Sequence, residues 1–489
     1  MSDWGRFFKH TSIYAVGNTL QRAAGFLLLP LYTTRLTTGE YGALELFYSV
    51  SAVLMTFLGI GLAHATLRFY FEFEDPERRR AVVATTLVAT MAIALPPVVL
   101  LLPFAKVLAH VLFEGRYAHG VPIVLTSMVL ELLRQVCLAY FRAREYSVRY
   151  VASALLQLLV QVVANILTVA VLKWGVVGVL FGNMIAVMVG TGYVMSITLR
   201  ECGLRFEFGI FKQIFAYCYP FLFTSIVGEI VQNTDRFMIM RFMSLEALGI
   251  YALAIKFGQL LRILIVQSFQ LGFGAFRFSI IHQDNAKDMI SRIATYYLLL
   301  VTASGLAISL LCKEVIAVMA TPEYSAAAVV VPVIMLAIST GCLGYIFQTG
   351  VLFEKTTGKL VKVSFVEASA LIGLDLLLIP TYGYMGAAAA TVGSALAQLV
   401  AIYVVSQRLY PVRYDFRRLG TILATGVAVF LVGHHLIGGP LWASVGAKVL
   451  LLAGFALLAV LTRVFYGDEW RGIRGYVRAR RNVTGAYST

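Results

Sequence analysis

Residues 40–66 read EYGALELFYSVSAVLMTFLGIGLAHAT. From Ala43 onward the stretch is apolar over the ~20 residues that a helix needs to cross hydrocarbon. Segments of the same kind recur along the chain, at 11–34, 43–66, 81–105, 120–141, 150–172, 176–198, 212–240, 248–272, 291–312, 326–350, 361–380, 384–406, 419–436 and 442–462. They predict an all-α integral membrane protein of about fourteen transmembrane helices, with both termini on the same side. Composition agrees. Of 489 residues, 60% are hydrophobic and 13% charged, and the mean hydropathy is +0.82. A soluble domain is about 45–50% apolar and about 25% charged. The excess apolar surface calls for a lipid solvent, and the loops are too short to hold a soluble catalytic domain.

The charges orient these spans. Of the 40 Lys and Arg residues, 28 fall in alternate loops and tails, which include Arg78, Arg79 and Arg80, Arg142 and Arg144, and Arg277 and Lys287. Six fall in the intervening loops, namely Arg35, Lys106, Arg116, Lys173, Arg241 and Lys313. Lys and Arg stay preferentially on the cytoplasmic side, so both termini are expected in the cytoplasm, and the basic loops suit an anionic lipid surface. The formal charge of +15 is thereby a topology signal, and nucleic acid is not an expected partner. The five cysteines, Cys137, Cys202, Cys218, Cys312 and Cys342, are scattered and read as packing residues. No cleavable signal peptide is evident, so the first helix is expected to be kept.

The opening motif recurs. Glu40-Tyr41-Gly42 begins the second span and Gly249-Ile250-Tyr251 lies at the start of the eighth, with Gly42 and Gly249 207 residues apart. Gly175, opening the sixth span, and Gly383, opening the twelfth, are 208 apart. The matching offsets predict two six-helix bundles, 1–205 and 206–407, followed at 408–489 by two extra helices and a basic cytoplasmic tail. An even number of spans per half makes the copies parallel repeats, related by a pseudo-two-fold along the membrane normal with a site between them.

At these residues the chain resembles the polysaccharide or oligosaccharide flippases, the Wzx-like branch of the MOP exporter superfamily. The matching stretches are Pro30-Leu31-Tyr32-Thr33-Thr34-Arg35-Leu36 with Glu40-Tyr41-Gly42, then Asp235-Arg236, Gly249-Ile250-Tyr251-Ala252, and Ile379-Pro380-Thr381-Tyr382-Gly383-Tyr384-Met385-Gly386-Ala387-Ala388. The resemblance implies two helix bundles that open alternately to either side. It also implies an undecaprenyl-diphosphate-linked glycan as cargo, without naming the sugar.

Polar residues inside spans cost about 2.5–3.5 kcal/mol each on insertion scales and so mark candidate sites. The first span carries Asn18, Gln21 and Arg22; the seventh, Glu229, Gln232, Asn233, Asp235 and Arg236; the eighth, Lys256, Gln259, Arg262, Gln267 and Gln270. In the implied architecture these spans wall a cavity between the halves. Arg22, Lys256 and Arg262 are the expected cationic lining for a diphosphate or acidic sugar. Asn18, Gln21, Gln259 and Gln267 are the expected sugar-facing hydrogen-bonders, and Glu229 and Arg236 complete the candidate substrate-binding set. Glu229 and Asp375 are candidate ion-coupling sites, with pairing to a neighbouring Arg as the rival reading. Glu131 and Arg134, three residues apart, read as a structural ion pair. Neither a metal site nor a cofactor is indicated, and no nucleophile–base constellation suggests an enzyme.

Three functions compete. The first is a flippase for a lipid-linked oligosaccharide, working with membrane lipid and with a polysaccharide polymerase and chain-length regulator as possible partners. The second is a lipid II flippase, which shares the topology. The third is an ion-coupled drug or metabolite exporter of the same superfamily, for which acidic cavity residues would be expected.

Overall fold

The protein is described here by a computed structural model covering residues 25–436 and 441–462. Within these residues the structure is helical, with no strand. Among the described residues, eleven helices are long and apolar enough to cross a membrane, or twelve if Phe208–Pro220 and Ser225–Phe242, bent by 51°, form one span. One of the eleven, Gly358–Leu409, is two spans end to end, because Gly383 breaks the helix with φ 59° and ψ −140°. That is the boundary expected between 361–380 and 384–406. Leu29–Arg35 is the described end of the first predicted span.

Local chemistry explains where the helices begin. Glu40 of the recurring motif is half of a capping box. Its backbone N–H donates to Thr37 Oγ1 at 3.2 Å, and its Oε2 accepts from the Thr37 N–H at 3.0 Å. Two of the N–H groups that a helix start leaves unpaired are thus satisfied. The third span begins with Asp75 accepting from the Glu77 N–H at 3.1 Å, followed by Pro76 in the first turn, where its missing N–H is harmless.

The eighth span, Leu245–Ser279, has an internal irregularity that periodicity does not reveal. Between Leu245–Leu261 and Ser268–Ser279 the backbone runs as a π-helix over Arg262–Gln267. Wider turns there change which residues share a face, and such segments gather at functional positions in helices.

The chain forms two compact units. Of the described residues, the first holds those up to Leu253 together with Met319–Ala326 and Ala368–Ala387; the second holds Ala254–Val318, Ala327–Glu367 and those from Ala388 onward. In the first unit the aromatic packing includes Phe47 stacked on Phe113 at 4.1 Å. Glu131 and Arg134 form the expected pair, bidentate, with both bonds at 2.7 Å.

At one end of the first unit, connections between spans are tied together by backbone contacts. Tyr324, fully buried, donates from its hydroxyl toward the carbonyls of Leu36 and Thr37, both at 3.1 Å. Thr33 Oγ1 donates to the Met319 carbonyl at 2.6 Å. Gly42 and Gly249 meet here as well, and a Cβ on Gly249 would stand 3.1 Å from the Gly42 nitrogen.

In the second unit Phe269 stacks on Tyr297 with centroids 3.7 Å apart. The C-terminal helix Leu441–Leu461 is held to Ala286–Met319 by a buried ion pair between Lys448 and Glu314, to which Ser444 Oγ donates at 2.8 Å.

Candidate functional site

The structure groups the candidate residues in two places. In the first unit, the seventh span brings in Asp235 and Arg236, both buried. Asp235 is held by neighbours. Tyr251 Oη donates to Oδ2 at 2.6 Å, and the Arg236 backbone N–H donates to Oδ1 at 2.8 Å. The Arg236 guanidinium lies 3.5 Å from Oδ1 and also donates to the Gln232 carbonyl. Glu45, buried on the second span, is within electrostatic reach of Arg236 and of Tyr41.

Asp375 completes this group from the eleventh span. Its exposure is 0%, neither carboxylate oxygen has a hydrogen-bond partner among the described residues, and Asp235 is within electrostatic reach. A buried charge normally has a partner. Of these two buried carboxyls, Asp235 is held by donors and Asp375 is not.

A polar chain runs through the same unit. Asn183 Nδ2 donates to Tyr48 Oη at 2.8 Å, while Asn183 Oδ1 accepts from Gln161 Nε2 and Asn165 Nδ2, both at 3.0 Å. This network joins the fifth and sixth spans to the second, where Tyr48 lies near Glu45.

The second unit holds two of the three cationic candidates, Lys256 and Arg262. Lys256 is half-buried, Gln259 and Arg262 are exposed, and Gln267 is half-buried. Arg262 opens the π-helical stretch and Gln267 closes it. Arg262 lies within electrostatic range of Glu367, whose Oε2 accepts from Gln398 Nε2 at 2.9 Å.

Arg236 and Asp375 are therefore gathered around Asp235, while Lys256, Gln259, Arg262 and Gln267 belong to the other unit. Asn18, Gln21 and Arg22 lie outside the described residues. Glu229 is engaged one turn along its own helix, where Asn233 Nδ2 donates to its Oε2 at 2.8 Å and to its carbonyl at 3.1 Å.

Sequence reading passed over Glu45, Tyr48, Asn183 and the Glu314–Lys448 pair. Glu45 and Tyr48 follow Gly42 at helical spacing, three and six residues on, so a helical wheel of the second span was the available signal. For Glu314 and Lys448 no local pattern exists, because they are 134 residues apart.

Residues 7–273 match the family described as polysaccharide biosynthesis protein. The chain belongs to that family. Solved structures share the fold of this polysaccharide biosynthesis protein. The lipid II flippase MurJ in an inward closed conformation superposes with a TM-score of 0.76 at 13% identity, covering 92% of this chain and 98% of that one. An inward-facing multidrug resistance MATE family transporter of the MOP superfamily gives 0.66 at 14% identity, with 83% and 96% covered. A Vibrio cholerae MATE transporter gives 0.56 at 11% identity, with 83% and 96% covered. No curated protein matches the sequence. The polysaccharide biosynthesis protein thus shares the fold of these transporters, with helices long and apolar enough to cross a membrane.

Proposed function

We propose that the protein is a flippase that carries an undecaprenyl-diphosphate-linked oligosaccharide across the cytoplasmic membrane by alternating access, for surface polysaccharide biosynthesis. The single observation that supports this most is the family match over 7–273 in a chain with a MOP-exporter fold. On this reading the repeats 1–205 and 206–407 are the moving bundles. Residues 408–489 add two helices and a basic tail, and both termini lie in the cytoplasm. A polymerase and a chain-length regulator would receive the product.

Arg22, Lys256 and Arg262 serve as cations for the diphosphate, because a guanidinium presents a planar fork of donors to phosphate oxygens. Asn18, Gln21, Gln259 and Gln267 hydrogen-bond the sugar. The coupling ion binds at Asp375. Its bare, buried carboxyl beside Asp235 supports this role better than Glu229, whose carboxylate already holds Asn233.

A second reading is a lipid II flippase, favoured by the likeness to MurJ over 92% of the chain. Deletion of the gene in its native host separates the two. Viable cells that lose surface polysaccharide and accumulate a lipid-linked oligosaccharide on the inner leaflet support the first reading. Arrest of growth with accumulated peptidoglycan precursor supports the second. Normal polysaccharide with sensitivity to small cationic toxins would overturn both in favour of an exporter.

A further inference from the structure

Arg277 was expected in a loop, but it lies inside the helix Ser268–Ser279 and is only 5% exposed. Among the described residues it has no carboxylate partner. Its Nη2 donates to Tyr345 Oη at 2.6 Å, and Tyr345 Oη in turn donates to the Gln270 carbonyl at 3.0 Å. The guanidinium carbon sits 4.5 Å from the Tyr345 ring centre, 5.5 Å from Phe273 and 5.7 Å from Phe278. Nε and Nη1 are buried and have no hydrogen-bond partner.

This arrangement is unfavourable as a finished structure. Ring faces compensate a cation only weakly, while a buried ion without a counter-ion carries a larger penalty. Two unused nitrogens on a side chain held in place by a doubly bonded tyrosine are the donor half of an anion site. Phe278 is 51% exposed, and Tyr345 lies on Gly344–Phe347, one of the short pieces into which the helix is broken after Gly341.

Depth selects the anion. Arg277 is 32 residues past the start of the eighth span at Leu245, a rise of ~48 Å at 1.5 Å per residue. That is longer than the ~30 Å hydrocarbon core and about the ~40–45 Å that includes both headgroup layers, so a helix that starts in one headgroup layer brings the site to the other. The charge bias puts this end in the cytoplasmic leaflet. An anion at that level is a lipid phosphate, and guanidinium is the side chain best matched to phosphate oxygens.

We propose that Arg277, aimed by Tyr345, binds the phosphate of a membrane lipid at the cytoplasmic end of the eighth helix. The source of that phosphate is a polyprenyl diphosphate or an anionic phospholipid. Only the first source rests on the flippase reading, which the deletion strain tests separately.

The test is thermal melting of the full-length protein in uncharged detergent, titrated with a polyprenyl diphosphate, with phosphatidylglycerol and with the phosphate-free polyprenol. The wild type is expected to gain several degrees with a phosphate lipid and little with polyprenol, since a ligand that binds only the native state raises its melting point. Arg277→Met, which removes the unpaired charge while keeping bulk, melts no lower without lipid and loses the gain. Arg277→Lys keeps part of it. Tyr345→Phe, which keeps the ring, shifts the titration midpoint several-fold upward. A gain with polyprenyl diphosphate alone assigns the site to cargo, and an equal gain with phosphatidylglycerol assigns it to bulk lipid. The same gain in wild type and Arg277→Met, or a gain with polyprenol equal to that with the diphosphate, overturns the proposal.

Discussion

Gly42 and Gly249, 207 residues apart, pack backbone against backbone. A Cβ on Gly42 would stand 2.9 Å from the Gly249 nitrogen and would collide with the Leu245 carbonyl; one on Gly249 would collide with the Thr38 carbonyl. Backbone cannot rotate away as a side chain can. Small residues let membrane helices approach closely, and the repeated motif therefore marks this crossing.

Gly42→Ala and Gly249→Ala are each expected to destabilise by about 1–3 kcal/mol, the usual penalty of overpacking. Transport should fall with them. Melting of the purified variants measures the first effect. An unchanged melting point in both would mean that the crossing opens without loss.

Asp375→Asn removes a buried carboxyl that has no hydrogen-bond partner. Breaking no bond, it is expected to melt at or above the wild-type temperature. Flux into vesicles should lose its dependence on pH or on sodium, whichever the wild type shows. If the dependence survives intact, Asp375 is not the coupling site.

Glu314→Gln leaves Lys448 buried without its counter-ion. Breaking a buried pair from one side costs about 3–5 kcal/mol. Replacing both together, as Glu314→Gln with Lys448→Met, should recover most of that. A double-mutant cycle on melting checks it, and additive losses would show the pair to be independent.

Arg262→Ala is expected to reduce transport at normal expression, with little change in melting because Arg262 is exposed. Arg262→Lys should recover part of the loss, since it keeps the charge but not the fork. Full activity in the alanine variant removes Arg262 from the substrate path.

Some features were legible in the sequence because they are local. The apolar spans follow from the width of a bilayer, which any helix must match with its own residues. The break between the eleventh and twelfth spans is carried by a single residue, Gly383, in a left-handed conformation that suits glycine. The Glu131–Arg134 pair is set by helical spacing.

The tertiary structure decided what depends on residues far apart in the chain. Sequence placed Glu229 and Asp375 together as coupling candidates, yet Asn233 holds one and Asp235 adjoins the other. Arg277 read as a loop cation, but the helix extends past it and Tyr345 packs over it. The π-helical turns at Arg262–Gln267 re-aim the eighth span, which a regular wheel cannot anticipate. In each case span length and local spacing come from neighbouring residues. The partners that leave a buried charge paired or bare come from other helices, and only packing brings those together.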